Sequence, residues 1–185
     1  MNSYFNVGGR WPPTAFPFSN DSPAGISILN HDCRLKEECY PILRMLADHG
    51  TVLATGHISP EESLELIRKA NQLGCKKMVV THVSESVIQM SLSQQQQAVK
   101  MGAFIEHGFF AVTSTCPNPI SLEEIRDQIR CIGVEHCILS TDFGQIQNPP
   151  PVEGFGTYLE KMRQIGFSQE EIRQMVRENP KALLV

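Results

Sequence analysis

The chain has 185 residues, of which 41% are hydrophobic and 19% charged, with a formal net charge of -4. That is enough apolar material for one buried core and too little charge for a disordered chain, so a single folded domain is expected. A pI near 5.9 with interspersed acidic and basic residues leaves no basic stripe to neutralise phosphates, so no nucleic-acid partner is expected. The longest apolar runs, such as Met78–Val80 and Gly108–Val112, fall far short of the roughly 18 residues of a membrane span. The N-terminus carries one arginine and no apolar stretch of the kind a secretory signal needs. Cys33, Cys39, Cys75, Cys116, Cys131 and Cys137 are scattered without a CxxC pair. This is the pattern of free thiols in a reducing cytosol, so a cytoplasmic location is expected.

Residues 1–30 are rich in Pro, Gly, Asn and Ser without a sustained period and read as an irregular segment, leaving 31–185 as the folded domain. Cys39, Ile42, Leu43, Leu46 and Ala47 draw one apolar helix face ending near Gly50, and a strand follows over Thr51–Gly56. Ser59-Pro60-Glu61-Glu62 is a capping box with proline at the first helical position. Leu66, Ile67, Ala70 and Leu73 form the stripe of that helix and Gly74 its stop, before a buried strand at Lys77–Thr81. A helix over about Ser93–Met101 stops at Gly102 and leads into a strand over Ala103–Ile105 or slightly further. A second capping box at Ser121–Glu124 opens a helix ending at Gly133, followed by a strand over Cys137–Thr141. The next helix, near Glu153–Ile165, points Phe155, Leu159, Met162 and Ile165 inward. A last box at Ser168–Glu171 starts a terminal helix running to about Glu178. Short apolar strands alternating with capped helices indicate βαβ units on a parallel sheet. The phosphate-binding motifs GxGxxG and GxxxxGK[ST] are absent.

The strands share their endings: Thr55-Gly56-His57, Val80-Thr81-His82, Ile105-Glu106-His107 and Ser140-Thr141-Asp142. In parallel α/β folds the carboxyl ends of the strands converge on one ligand-binding face, so these distant residues should meet. Imidazole nitrogens and a carboxylate are ligands for zinc and similar divalent ions, and a water bound to such an ion ionises near pH ~7, which points to hydrolysis. Adjacent residues on a strand face opposite sides, so only one of Glu106 and His107 can point into the site. Glu106 is favoured, because a carboxylate against the outer helices would be the costlier burial. His31, His49 and His136 are read as loop or helix-end residues, and Cys116, with no base beside it, as a loop residue. The long connections Ser114–Pro119 and Phe143–Val152 fall on the same face, where their prolines either stiffen a substrate-shaping wall or simply join elements.

The series TGHIS, VTHVS, GAFIEHGF, ILSTDFGQ and VRENPKALL resembles the C-terminal half of the metal-dependent hydrolases of the amidohydrolase superfamily, closest to an uncharacterised cytosolic branch of these TIM-barrel proteins. The likeness covers about residues 25–185. It implies an α/β fold made of the last four or five units of a (β/α)8 barrel with parallel strands. It further implies that His57 and His82 are the metal ligands ending the fifth and sixth barrel strands. Asp142 would be the eighth-strand aspartate that binds metal and takes the proton of the attacking water. Glu106 would close the seventh strand, a position that is not a general ligand across that superfamily; it is taken here as an additional catalytic group, with His107, Thr141 and Gln145 as second-choice substrate contacts. The cofactor implied is a divalent metal, zinc first, then manganese, iron or nickel. Asn179 and Pro180 would cap and start a short final helix.

The same family carries an HxH pair on its first strand, and this chain has none. An eight-unit barrel needs ~250 residues, or at least ~200. The expectation is therefore either a chain lacking its N-terminal half, with Gly8–Thr14 (GGRWPPT) as the remnant of strand four, or a half barrel that works as a homo-oligomer. The activity expected is hydrolysis of a small-molecule amide, ester or lactone. The alternatives are a non-catalytic α/β binding or assembly module on the same scaffold, or a barrel lyase or decarboxylase.

Overall fold

A computed structural model of the chain describes residues 26–86 and 88–184; most of the irregular segment expected at 1–30, and the GGRWPPT stretch within it, lie outside these. Four βα units follow one another. Helix α1 (Cys39–His49) precedes strand β1 (Leu53–Ala54), then come α2 (Pro60–Gln72), β2 (Met78–Val80), α3 (Leu92–Lys100) and β3 (Ala103–Gly108). Helix α4 (Leu122–Ile132) leads to β4 (Cys137–Ser140), followed by α5 (Pro151–Gln164), α6 (Gln169–Arg173) and α7 (Asn179–Leu184). All strand pairs are parallel and the sheet order is β1-β2-β3-β4. Among the described residues, β1 and β4 each have a single strand neighbour.

The capping chemistry sets the helix starts. Ser59, Ser91 and Ser168 each accept from the backbone N–H three residues on, and Glu62, Gln94 and Glu171 return the bond, so three boxes are complete. The box at Ser91 starts α3 at Leu92, one residue before the expected Ser93, because Gln94 serves there as well as a glutamate. Ser121 accepts from Glu124 N without the reciprocal bond, so the box expected there is half formed. The residue preceding Ile28 explains why Glu62 is buried: Ser27 Oγ and Ile28 N both donate to its Oε1, which fastens the start of the described chain to the head of α2.

The outer face of the sheet is the dry one. Met78, Val80, Ala103 and Ile105 pack with Leu43, Ile67 and Ala70 of α1 and α2 in one apolar cluster. Cys137 and Leu139 pack with Ile125, Ile129, Tyr158 and Met162 of α4 and α5 in a second. The stripe of α5 is centred on Tyr158 and Met162, which are fully buried, while Phe155, Leu159 and Ile165 are only partly so. Tyr158 can occupy the centre because its ring stacks 4.7 Å from Phe109 and its hydroxyl donates to His107 O at 3.4 Å. A third, smaller cluster of Val79, Ile138 and Leu183 lies with Val52 and Phe104, the residues of the opposite strand face.

The C-terminus differs from the expected break at Asn179. Helix α6 continues through a π turn, Gln174–Glu178, directly into α7. Asn179 has helical backbone angles (φ -64, ψ -49), so it is not an N-cap. The wider turn lies just ahead of Pro180, which has no N–H to bond back along the helix. The Asn179 side chain is buried and donates to Val134 O at 2.7 Å and Cys137 O at 2.6 Å, holding the last helix to the start of β4. Replacing it in Asn179→Ala should strand two carbonyls and cost about 1–3 kcal/mol of stability in urea unfolding. An unchanged midpoint would remove Asn179 from the anchoring of the terminal helices.

Candidate metal centre and active site

The strand ends are stapled by threonines. Thr55 Oγ1 accepts from Thr81 N and Thr81 Oγ1 donates to Gly56 O, both at 3.1 Å. This continues the β1–β2 register, in which Leu53 faces Met78 and Ala54 faces Val79. The next step out brings His57 over His82, with ring centroids 4.1 Å apart and planes 14° from parallel. Two residues beyond the end of β1, β2 and β4 the backbone turns left-handed, at Gly56 (φ 64), His82 (φ 59) and Asp142 (φ 54). For a residue with a Cβ this conformation costs on the order of 1–2 kcal/mol, so it persists at His82 and Asp142 because neighbouring bonds hold it.

Around His82 the charges converge. Its Nδ1 lies 2.9 Å from Glu85 Oε1 and 3.9 Å from Asp142 Oδ2, the first a hydrogen bond and the second a purely electrostatic contact. Burial pulls the His82 pKa down, but the hydrogen bond and charge of Glu85, with the charges of Asp142 and Glu106, outweigh it and leave the value above the ordinary 6.5. His57 goes the other way: burial, then the neighbouring His82, lower its pKa, so it is neutral and able to donate a lone pair at pH 7. His57, His82 and Glu85 each offer a ligand atom, all within 4.8 Å of one another. Two imidazoles and carboxylates are the donor set of zinc and similar ions, so the residues fit such a cation.

Glu106 and His107 divide as alternation requires. Glu106 follows Phe104 on the inner strand face and its charge reaches His82. His107 lies on the outer face, fully buried, with Nδ1 3.0 Å from Ser84 Oγ. Its ring thus faces the layer behind the sheet, on the side away from Glu106. Ser84 also donates to Gln128 Oε1 at 3.1 Å. With that proton committed, His107 Nδ1–H donates to Ser84, and Nε2, which has no partner among the described residues, is a bare lone pair rather than an orphaned N–H. Burial holds the His107 pKa down at about 3.

The other second-choice residues shape the loop after β4. Thr141 Oγ1 accepts from Phe143 N. Gln145 donates to Asp142 O at 3.0 Å and accepts from Asn148, whose Oδ1 accepts from Thr115 Oγ1 at 2.7 Å. The two long loops are thus joined to each other and to the Asp142 backbone, and they wall a groove of about 520 Å³ floored by Phe109 and Phe143. Cys116 is buried, and the charges of Glu85 and Asp142 add to the burial that raises its pKa. Glu85 leaves one signal in the sequence, the His-x-x-Glu spacing after β2, too common to single it out.

A family model described as "Family of unknown function (DUF6282)" matches residues 5–106. The chain belongs to this family. The DUF6282 match runs from ahead of α1 to Glu106 and so includes both histidine strands. No curated protein matches the sequence. Among solved structures, a triple mutant of an organophosphorus hydrolase from Deinococcus radiodurans aligns with a TM-score of 0.60 at 16% identity, over 77% of this chain and 49% of that one. An arginine-to-alanine variant of the same hydrolase gives 0.53 at 16% identity, over 69% and 46%. The chain spans about half the length of these structures. At that identity the likeness is one of fold, and it identifies the four parallel βα units of this DUF6282 member as part of a TIM barrel.

Because His107 is neutral when folded and takes a proton when unfolded between about pH 6.5 and 3, unfolding consumes a proton in that window. Stability should therefore fall as pH drops below 6.5, by up to about 1.4 kcal/mol per unit from this group, with no contribution from it at pH 7 and above. In His107→Gln the decline measured by denaturant unfolding should be shallower than in the wild type. Equal slopes would assign the acid sensitivity elsewhere.

Proposed function

We propose that this chain carries the metal site of an amidohydrolase-type hydrolase that acts on a small-molecule amide, ester or lactone. The observation that carries this reading is the stacking of His57 on His82 at the ends of adjacent parallel strands, with the charges of Glu106 and Asp142 reaching His82. His57, His82 and Asp142 would hold a divalent cation, zinc first and manganese, iron or nickel otherwise. Such an ion supplies a water that ionises near pH ~7 and polarises the carbonyl under attack. His57, neutral through burial, contributes a lone pair without first losing a proton. Asp142 is half-exposed at the mouth of the sheet and serves as general base toward the attacking water. Glu106 orients the substrate and relays protons from the neighbouring strand. The fold shared with an organophosphorus hydrolase supports extending the substrate class to a phosphoryl centre. The absence of HxH from the sequence favours a second reading, a non-catalytic binding module on the same scaffold. Further donors would come from an N-terminal half or from another copy of the chain.

Purified protein should contain close to one equivalent of a transition metal, and His57→Ala and His82→Ala should lose it. Less than about a tenth of an equivalent, unchanged in both variants, would sink the hydrolase reading. Asp142→Asn, assayed on a panel of esters and lactones, should lower kcat by about 10²-fold or more; undiminished turnover rejects the general-base role. Since the His82 pKa lies above its ordinary 6.5, a proton competes with the metal there. Uptake should therefore weaken as pH falls, and calorimetry in two buffers should record proton release on binding.

A further inference from the structure

Glu85 is 3% exposed, a carboxylate taken almost entirely out of water. The backbone pins it: Glu85 N donates to His82 O at 3.1 Å, and Ile88 N and Gln89 N donate to Glu85 O at 2.9 and 2.7 Å. A tight turn thus returns its side chain beneath the ring from which the turn began. A carboxylate only accepts, so in the neutral ring the proton sits on His82 Nδ1 and the lone pair on Nε2. The separation also speaks to its role. Two donors on one tetrahedral ion with bonds of 2.0–2.1 Å stand roughly 3.3 Å apart, whereas Nδ1 and Oε1 are 2.9 Å apart, a hydrogen-bond distance.

We propose that Glu85 is the positioning residue of His82: its hydrogen bond to Nδ1 selects the tautomer and holds the left-handed His82 so that Nε2 is offered to the metal. This rests on the reading of His82 as a ligand. Losing such an outer partner typically weakens metal binding 10- to 100-fold. The carboxamide of a glutamine keeps an acceptor oxygen for Nδ1–H but is a poor zinc ligand, so it separates orientation from ligation.

The test uses zinc affinity by chelator competition, together with ¹⁵N NMR of the histidine rings in metal-free protein in mildly alkaline buffer. Wild type should show His82 as the Nδ1–H tautomer. Glu85→Ala should lose that bias and bind zinc about 10- to 100-fold more weakly, while Glu85→Gln should restore the tautomer and most of the affinity. A glutamine variant as weak as the alanine one would make Glu85 a ligand and overturn the assignment, as would an alanine variant with wild-type affinity. If Glu85→Ala does not fold by circular dichroism, the wild-type tautomer decides, and an Nε2–H ring overturns the proposal. Wild-type protein that takes up no zinc refutes the hydrolase reading instead, while the metal-free spectra still decide the role of Glu85.

Discussion

The parallel, sequential pairing of β1 through β4 is the constraint on which the rest of the molecule depends. Each strand is only two to six residues long, so little cohesion comes from the ladders themselves. What the pairing does is align the strand ends, so that His57, His82 and Asp142, two or three residues beyond theirs, and Glu106, within β3, come to the same rim. The helices then bury the outer face in two apolar clusters, which hold the strands in that alignment from behind. The threonine staples between β1 and β2 carry it past the last ladder bonds to the rings themselves.

Two different forces act at the rim. Burial, with the neighbouring His82, drives His57 toward neutrality, while the buried carboxylate of Glu85 and the nearby Asp142 favour the protonated form of His82. Stacked rings with opposite proton preferences follow from their surroundings alone, since the two residues are chemically identical. The left-handed backbone at His82 and Asp142 is the conformational cost of bringing them over the sheet.

Features with a local cause were readable from residues. Serine three ahead of Glu or Gln marks a helix start because the bond is made within one turn; the boxes expected at Ser59 and Ser168 close, the one at Ser121 half closes, and an unexpected one closes at Ser91. The strand-end residues were readable because alternation and parallel topology leave few choices, and the cost of burying a carboxylate put Glu106 inward. What escaped depends on contacts between distant segments. Tyr158 is central because Phe109 and His107 O await it, Asn179 because Val134 and Cys137 present carbonyls, and Glu85 because a turn returns it to His82. None of these leaves a period in the chain. The large apolar side chains that stay exposed among the described residues, Ile26, Ile42, Met45, Ile146, Val152 and Leu184, belong to the first and last segments of the described chain.

The pair Glu106–His107 also guards the alignment of β3. A slip of one residue against β2 and β4 would exchange the faces of every side chain on the strand. The carboxylate would enter the apolar layer that His107 fills, beside Ser84 and under Tyr158, where an unpaired charge costs several kcal/mol. A neutral imidazole suits that layer, and an acid does not. The two neighbouring residues thus act as a polarity key that admits one register of the central strand and rejects the next.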